Sequence, residues 1–159
     1  MTEPFAITVA ESQEDIAAAR ELFLEYAHWL GFSLCFQGFD QELATLPGKY
    51  ASPAGRLLLA RCDGELAGCG ALRPLQASIC EMKRLYVRPG LRGRRLGLAL
   101  AERLIADAKG IGYDFMRLDT VPSKMGDANR MYRRLGFYEI PSYYHNPQPE
   151  VSYLELRLR

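Results

Sequence analysis

The stretch RPGLRGRRLGLALAERL, residues 88–104, holds five arginines and three glycines, most of them ahead of an amphipathic run. Arg92, Arg94 and Arg95 crowd what reads as a helix start, where the dipole disfavours cations. An anion seated there would offset them, because the first-turn amides of a helix lack intrahelical acceptors. Gly93 and Gly97 would let backbone approach that anion where a side chain would obstruct. The other reading is a solvated basic turn with no ligand. A P-loop is excluded, since no Gly-Lys-Ser/Thr closes the turn, and antiparallel strands ahead of it fit a dinucleotide fingerprint poorly.

The elements that would position this turn follow from periodicity. FAITVA (5–10) reads as a strand, Ser12 as a helix cap, and Ile16, Ala19, Phe23, Tyr26 and Leu30 as one face of a long helix that Gly31 can end. A short helix is expected in QELATL. RLLLARCDGELAGCGALRPL is two strand-like runs joined at Asp63-Gly64, whose turn type needs positive φ. SICEMKRLYVRP adds a third strand to make a meander. Residues 95–109 read as a helix stopping near Gly110 and Gly112, YDFMRLDTV as a strand, DANRMYRRLG as a helix ended by Gly136, and VSYLELRLR as a final strand. The order predicts a mixed sheet with helices on its faces, in one domain spanning 1–159.

Twenty basic against 19 acidic side chains leave a net charge of +1, so a nucleic-acid partner would have to rely on one local patch, and none is expected. No stretch approaches the roughly 20 apolar residues of a membrane span, and the N-terminus lacks a basic region followed by an apolar core. No membrane partner and a cytoplasmic location are the expectation. Cys35, Cys62, Cys69 and Cys80 fit no zinc ligand set and read as reduced thiols, mostly in the core; no metal is expected.

The segment MKRLYVRPGLRGRRLGLALAERLIADAKGIGYDFMRLDT resembles the central motif of the GNAT superfamily of acetyl-CoA-dependent N-acetyltransferases, and ANRMYRRLGF resembles its second motif. The likeness extends over nearly the whole chain and implies an α/β (α+β), single-domain GNAT fold: a mixed, mostly antiparallel sheet flanked by about four helices. It implies acetyl-CoA as co-substrate, with its pyrophosphate on the turn formed by Arg92, Gly93, Arg94, Arg95, Leu96, Gly97 and Leu98. Leu85, Tyr86 and Val87 would hold the pantetheine arm and thioester carbonyl, the Leu85 and Val87 amides acting as donors. One position departs from the family pattern, because Arg95 stands where its first glycine is usual. Its guanidinium could instead lie along the phosphate oxygens.

For the chemistry, the resemblance implies Tyr132, in Ala128-x-x-x-Tyr132-x-x-x-Gly136-Phe137, as the acid for the departing thiolate. Ordinary pKa values of roughly 10 and 8.5 make that transfer nearly balanced. A tyrosine packed in the core is the other reading. Glu81, eleven residues before Arg92, matches the glutamate that draws the amine proton in several members, often through water. The alternatives are a water chain with no dedicated base, or a solvent-facing strand carboxylate paired with a neighbouring arginine. The acceptor wall is expected from Phe32 and Phe36 in GFSLCFQGFD and from Tyr143, Tyr144 and His145 in EIPSYYHNPQPE. Rings with a few polar groups suit a small organic amine or a peptide terminus. His145 is a second candidate base, though a lone loop histidine is more often a surface residue. The expected activity is acetyl transfer to a primary amine by direct attack on the thioester. The alternative is a non-catalytic acyl-CoA-binding or sensor module. A homodimer is an assembly left open.

Overall fold

The computed structural model describes residues 5–31, 38–93, 95–148 and 150–159. Phe5–Val9 forms β1, and the chain then turns into α1, Gln13–Leu30. Ser12 caps this helix as expected: its backbone is extended and its hydroxyl accepts from the Asp15 amide at 3.1 Å. Gly31 ends it at φ 77°. A seven-residue helix, α2, covers Phe39–Thr45, starting two residues before the QELATL pattern.

β2 (Arg56–Cys62), β3 (Glu65–Gln76) and β4 (Ile79–Val87) form the expected antiparallel meander. Asp63 and Gly64, at φ 51° and 83°, make the tight turn between the first two, the geometry an Asp-Gly hairpin favours. α3 (Leu96–Ile111) carries the chain across to β5 (Phe115–Thr120), α4 (Gly126–Leu135) follows, and β7 (Ser152–Arg157) closes the chain. The helix after the arginine turn runs through Gly110, which is not a stop; Gly112, at φ 116°, takes the left-handed capping conformation instead. A three-residue strand, β6 (Tyr138–Ile140), lies in a stretch that reads as loop, too short for alternation to reveal it.

The sheet order is β1-β2-β3-β4-β5-β7-β6, and β4–β5 is its parallel pair. Both faces are covered, which explains why β2 is apolar almost throughout instead of alternating. Leu58 and Ala60 join Leu96, Leu100, Leu104, Met116 and Leu154 in one core, with Tyr132 and Phe137 of the α4 region. Leu57 and Leu59 join Ala19, Leu22, Phe23, Phe39 and Tyr50 in the other. Each fully buried leucine contributes about 1.5–3 kcal/mol of transfer free energy, so the two cores clamp the sheet from both sides. Cys62, Cys69 and Cys80 are free thiols within these cores; Cys35 lies outside the described residues. No described helix is long and apolar enough to cross a membrane.

The consequence for function lies between β4 and β5. They pair only at Ile79–Phe115, Cys80–Met116 and Glu81–Arg117, although β4 continues to Val87 and β5 to Thr120. Beyond Glu81 the strands part, and the β5-facing backbone of β4 has no ladder partner. A sheet interior cannot leave such groups idle without cost.

Candidate active site

The parting strands open a cleft of about 700 Å³. Leu85, Tyr86 and Val87 form one wall; Arg92, Gly93, Arg95, Leu96, Gly97 and Leu98 form its upper end, and Tyr132 of α4 reaches into it. Every described residue of the expected cofactor set therefore borders one space. Arg94, and the expected acceptor residues Phe32 and Phe36, lie outside the described residues.

β4 is bulged at this wall. Cys69 faces Tyr86 and Ala71 faces Lys83, so Arg84 and Leu85 together oppose the single residue Gly70. A bulge leaves its extra residue out of the ladder and re-aims the backbone. Here Arg84 stands at φ 60°, a conformation that costs a non-glycine residue about 1–2 kcal/mol. What holds it is a fork-to-fork pair: Arg84 Nε and Nη2 each donate to a Glu42 carboxylate oxygen at 2.9 Å, and the guanidinium lies over the Phe39 ring. No local sequence signal marks this bulge, because its brace arrives from α2, 42 residues earlier.

The arginine turn is less generously charged than its composition suggests. Arg88 is consumed by Glu21 and Glu25 of α1, at 3.1 and 2.7 Å, and by the Leu66 carbonyl. Arg103 pairs with Asp107 one turn along α3. Arg92 Nε donates to the Val87 carbonyl at 2.9 Å, and its guanidinium covers the Trp29 ring at 4.8 Å. Arg92 thus ties the end of β4 to the turn. Arg95 makes no ion pair among the described residues and stands at φ 62° as the residue that caps α3. That torsion explains why glycine is usual here, and it places Arg95 before the first helical turn, not within it. α3 has no side-chain cap, so its first amides face the cleft unclaimed.

Gly97 tests whether this end fits a phosphate. A Cβ there would meet nothing in the protein nearer than Val87 Cγ2 at 3.8 Å, so packing does not demand glycine. The space it leaves belongs to the cleft. Lys124, Arg130 and Arg134 border the same space from the α4 side and were not singled out in the sequence. Arg130 and Arg134 read as ordinary polar-face residues of α4, and Lys124 as part of the turn before it.

Tyr132 is 6% exposed and packs edge-on against Phe137, with ring centroids 5.6 Å apart. Burial pushes its phenol above the ordinary range, and it stays protonated at working pH.

Glu81 sits differently from the role the sequence suggested. It is 1% exposed and does not border the cleft. Arg73, directly across the ladder, donates to Oε1 from Nε at 3.0 Å, and the Tyr143 hydroxyl donates to Oε2 at 2.6 Å. Burial alone would raise its pKa; the Lys83 charge, the Tyr143 hydroxyl and the Arg73 guanidinium outweigh it and hold the carboxyl below its usual value. The arginine pairing of the alternative reading is present, but its solvent-facing position is not, because the carboxylate is buried. Tyr143, half-buried, is one of three mutually edge-on rings with Tyr144 and Tyr153, centroids 5.3–5.5 Å apart. His145 is exposed. Tyr143, Tyr144 and His145 do not border the 700 Å³ cleft. Asp119 of β5, which the sequence reading missed, does border it, and its Oδ2 is buried without a hydrogen-bond partner among the described residues.

Comparison with known proteins agrees with this geometry. The model of the Acetyltransferase (GNAT) family matches residues 16–137. An uncharacterized N-acetyltransferase of Schizosaccharomyces pombe is 39% identical over 155 residues, covering 96% of this chain and 94% of its own. A GNAT-family acetyltransferase from Staphylococcus aureus superposes with a TM-score of 0.79 at 20% identity, covering 98% of this chain and 99% of that one. The yncA protein of Salmonella typhimurium, solved with its cofactor acetyl-CoA, superposes with a TM-score of 0.66 at 19% identity, over 98% of this chain and 95% of its own. A parted β4–β5 pair, a bulged wall, an uncapped helix and a buried tyrosine, matched over most of the sequence by one family, have a single reading: the chain belongs to the GNAT family of acetyltransferases.

Proposed function

We propose that the protein moves an acetyl group from acetyl-CoA to a primary amine of a small molecule or a peptide, by direct attack of the amine on the thioester. The observation that carries this reading is the continuity of the cleft, which runs from the uncapped start of α3, along the unpaired edge of β4, to Tyr132. Phosphates suit the first, an extended amide-bearing arm the second, and a departing sulfur the third.

When bound, acetyl-CoA supplies an activated acyl group and a thiolate leaving group. The first-turn amides of α3 bind its pyrophosphate, aided by Arg95 and by Lys124, Arg130 and Arg134 across the cleft. Backbone groups of Leu85, Tyr86 and Val87 pair with the arm as an absent strand would, and polarise the carbonyl. Tyr132 gives its proton to the sulfur as the carbon–sulfur bond breaks. The ring trio of Tyr143, Tyr144 and Tyr153 stiffens the acceptor side, with His145 beside it; Phe32 and Phe36, expected there from the sequence, lie outside the described residues.

The test has two parts. Acetyl-CoA at a hundredfold excess over its dissociation constant stabilises the fold by about 2.7 kcal/mol, read as a concentration-dependent rise in melting temperature. A panel of primary amines is then scored for thiol release. A melting rise with no thiol release from any amine would leave the non-catalytic sensor reading; no melting rise would remove both.

A further inference from the structure

We propose that Asp119 receives the acceptor's ammonium group and takes its proton, an inference that rests on the acetyl-transfer reading above. On one side Asp119 pairs in the ladder with Tyr153 of β7; on the other, β5 has already left β4, whose last shared position is Glu81 opposite Arg117. Asp119 therefore lies where the strands part, bordering the same cleft as Tyr132.

The carboxylates around it are all engaged. Glu42 holds Arg84, Glu81 holds Arg73, Glu155 holds Arg117 and Glu25 holds Arg88. Asp127, the other acidic residue bordering the cleft, is exposed and pairs with Arg130. Asp119 Oδ2 is buried and has no hydrogen-bond partner among the described residues. An orphaned carboxylate oxygen is costly, and such a group in a native fold calls for a partner that arrives later. A primary ammonium offers three donors on a compact positive charge and matches that vacancy.

The surroundings favour proton uptake. Glu81, Lys83 and Arg84 face Asp119 from β4, Tyr132 from α4, Tyr26 from α1 and Tyr143 from the segment before β7. Burial pushes the Asp119 carboxyl up, Glu81 adds to that, and the Lys83 and Arg84 charges oppose it without cancelling it. A carboxylate moved in this direction is a better base at neutral pH. The burial that raises it is the same that Glu81 experiences, but Glu81 has its own cations and hydroxyl to offset it.

The step balances as follows. One N–H bond of the ammonium breaks, its proton joining the Asp119 carboxylate, and the freed nitrogen lone pair forms the bond to the thioester carbon. The carbon–sulfur pair leaves on sulfur, which takes the Tyr132 proton; the tyrosinate recovers one from the nitrogen, and Asp119 returns its own to water. One proton is released for each acetyl group transferred.

Asp119→Asn keeps shape and removes both charge and basicity. Turnover of a basic amine at neutral pH is expected to fall by about 10²–10⁴, with the melting response to acetyl-CoA retained. The loss should narrow as the pH approaches the amine's own pKa, where neutral amine is supplied by solution. The stability readout separates this from a structural role. A carboxyl whose pKa is raised on folding binds its proton more tightly in the folded state, so its ionisation costs stability above the folded pKa. Asp119→Asn should accordingly melt above the wild type at about pH 8, and the gap should close as pH falls below the ordinary carboxylate range. Retained turnover, a loss equal at every pH, or a variant that melts lower or fails to fold would each overturn the assignment. So would a pH-selective loss in Glu81→Gln that Asp119→Asn does not share. A wild-type protein that releases no thiol with any amine instead defeats the acetyl-transfer reading itself, and this inference with it.

Discussion

At the α3 end of the cleft the protein offers backbone amides, glycine and arginine from one continuous segment, residues 92–98. Beneath the cleft floor its offers are side chains that meet from β3, β4, β5, α2, α4 and the segment before β7, of which only β4, β5 and α4 reach the space itself. The first region is a local device, in which spacing along the chain is spacing in space. The second exists only after the sheet has formed, because Arg73, Glu81 and Tyr143 become neighbours through ladder register and a return of the chain. A ligand of fixed chemistry, such as a pyrophosphate, can be served by the first kind. An acceptor that differs between enzymes suits the second, where one strand residue can change without disturbing a helix start.

If the floor is held by side-chain pairs, breaking one should cost more than any change at the α3 end. Glu42→Ala is the sharpest case. It strands Arg84, whose side chain is 2% exposed, as an unpaired buried cation, and frees the bulge that the pair braces. Loss of about 3–5 kcal/mol is expected, measured as a shift in the denaturant midpoint. Arg103→Ala, which removes a half-buried i,i+4 pair along α3, should cost about a tenth of that, about 0.3–0.5 kcal/mol. Equal effects would erase the distinction between the two regions.

Next in size is Tyr132→Phe, which deletes one hydroxyl and leaves the ring packed on Phe137. Turnover should fall by about 10²–10⁴, with acetyl-CoA affinity little changed. Unchanged turnover under conditions where chemistry limits the rate would return Tyr132 to the core. Gly97→Val acts on the other region. A Cβ at Gly97 makes only ordinary contact with Val87, so the apo fold should keep its melting temperature, while the acetyl-CoA-dependent gain of about 2.7 kcal/mol is lost. A variant that still responds to acetyl-CoA would show that the backbone approach at Gly97 is not used.

The same contrast governs how far the sequence could be read. Element order apart from β6, the Asp63-Gly64 turn, the Ser12 cap and the arginine turn were legible, since each is carried by residues within a few positions of one another. The place of Tyr132 beside the cleft was legible because its helix repeats a spacing shared with a family. The bulge at Arg84 was not, nor was the role of Arg88 and Arg92 as clamps, because their partners lie on α1, on α2 and at the end of β4. Glu81 was placed on the right strand, but the pairing that claims its oxygens depends on register and on Tyr143, 62 residues on. Asp119 carried no signal at all: in RLDT it is one more alternating strand residue, and only the parting of β4 from β5 makes it face a space.

The smallest expected effect concerns Arg95, the one place where the local device departs from its pattern. Two contributions are mixed at this position. Its φ of 62° costs an L side chain about 1–2 kcal/mol, and its guanidinium, free of ion pairs among the described residues, is placed to meet a phosphate. Arg95→Gly relieves the strain but adds unfolded-state freedom worth about 0.4–1 kcal/mol, so the net stability gain should be only about 0.5 kcal/mol. Arg95→Ala keeps the strained torsion and drops the guanidinium. Comparing Ala with Gly in thermal melts therefore reads the torsion net of that unfolded-state freedom, and comparing Ala with Arg in acetyl-CoA titrations isolates the charge. The charge component should weaken as ionic strength rises, because Arg95 is exposed. If Ala and Arg bind acetyl-CoA equally at low salt, the guanidinium serves no phosphate, and the turn works through its backbone alone, as a glycine there would.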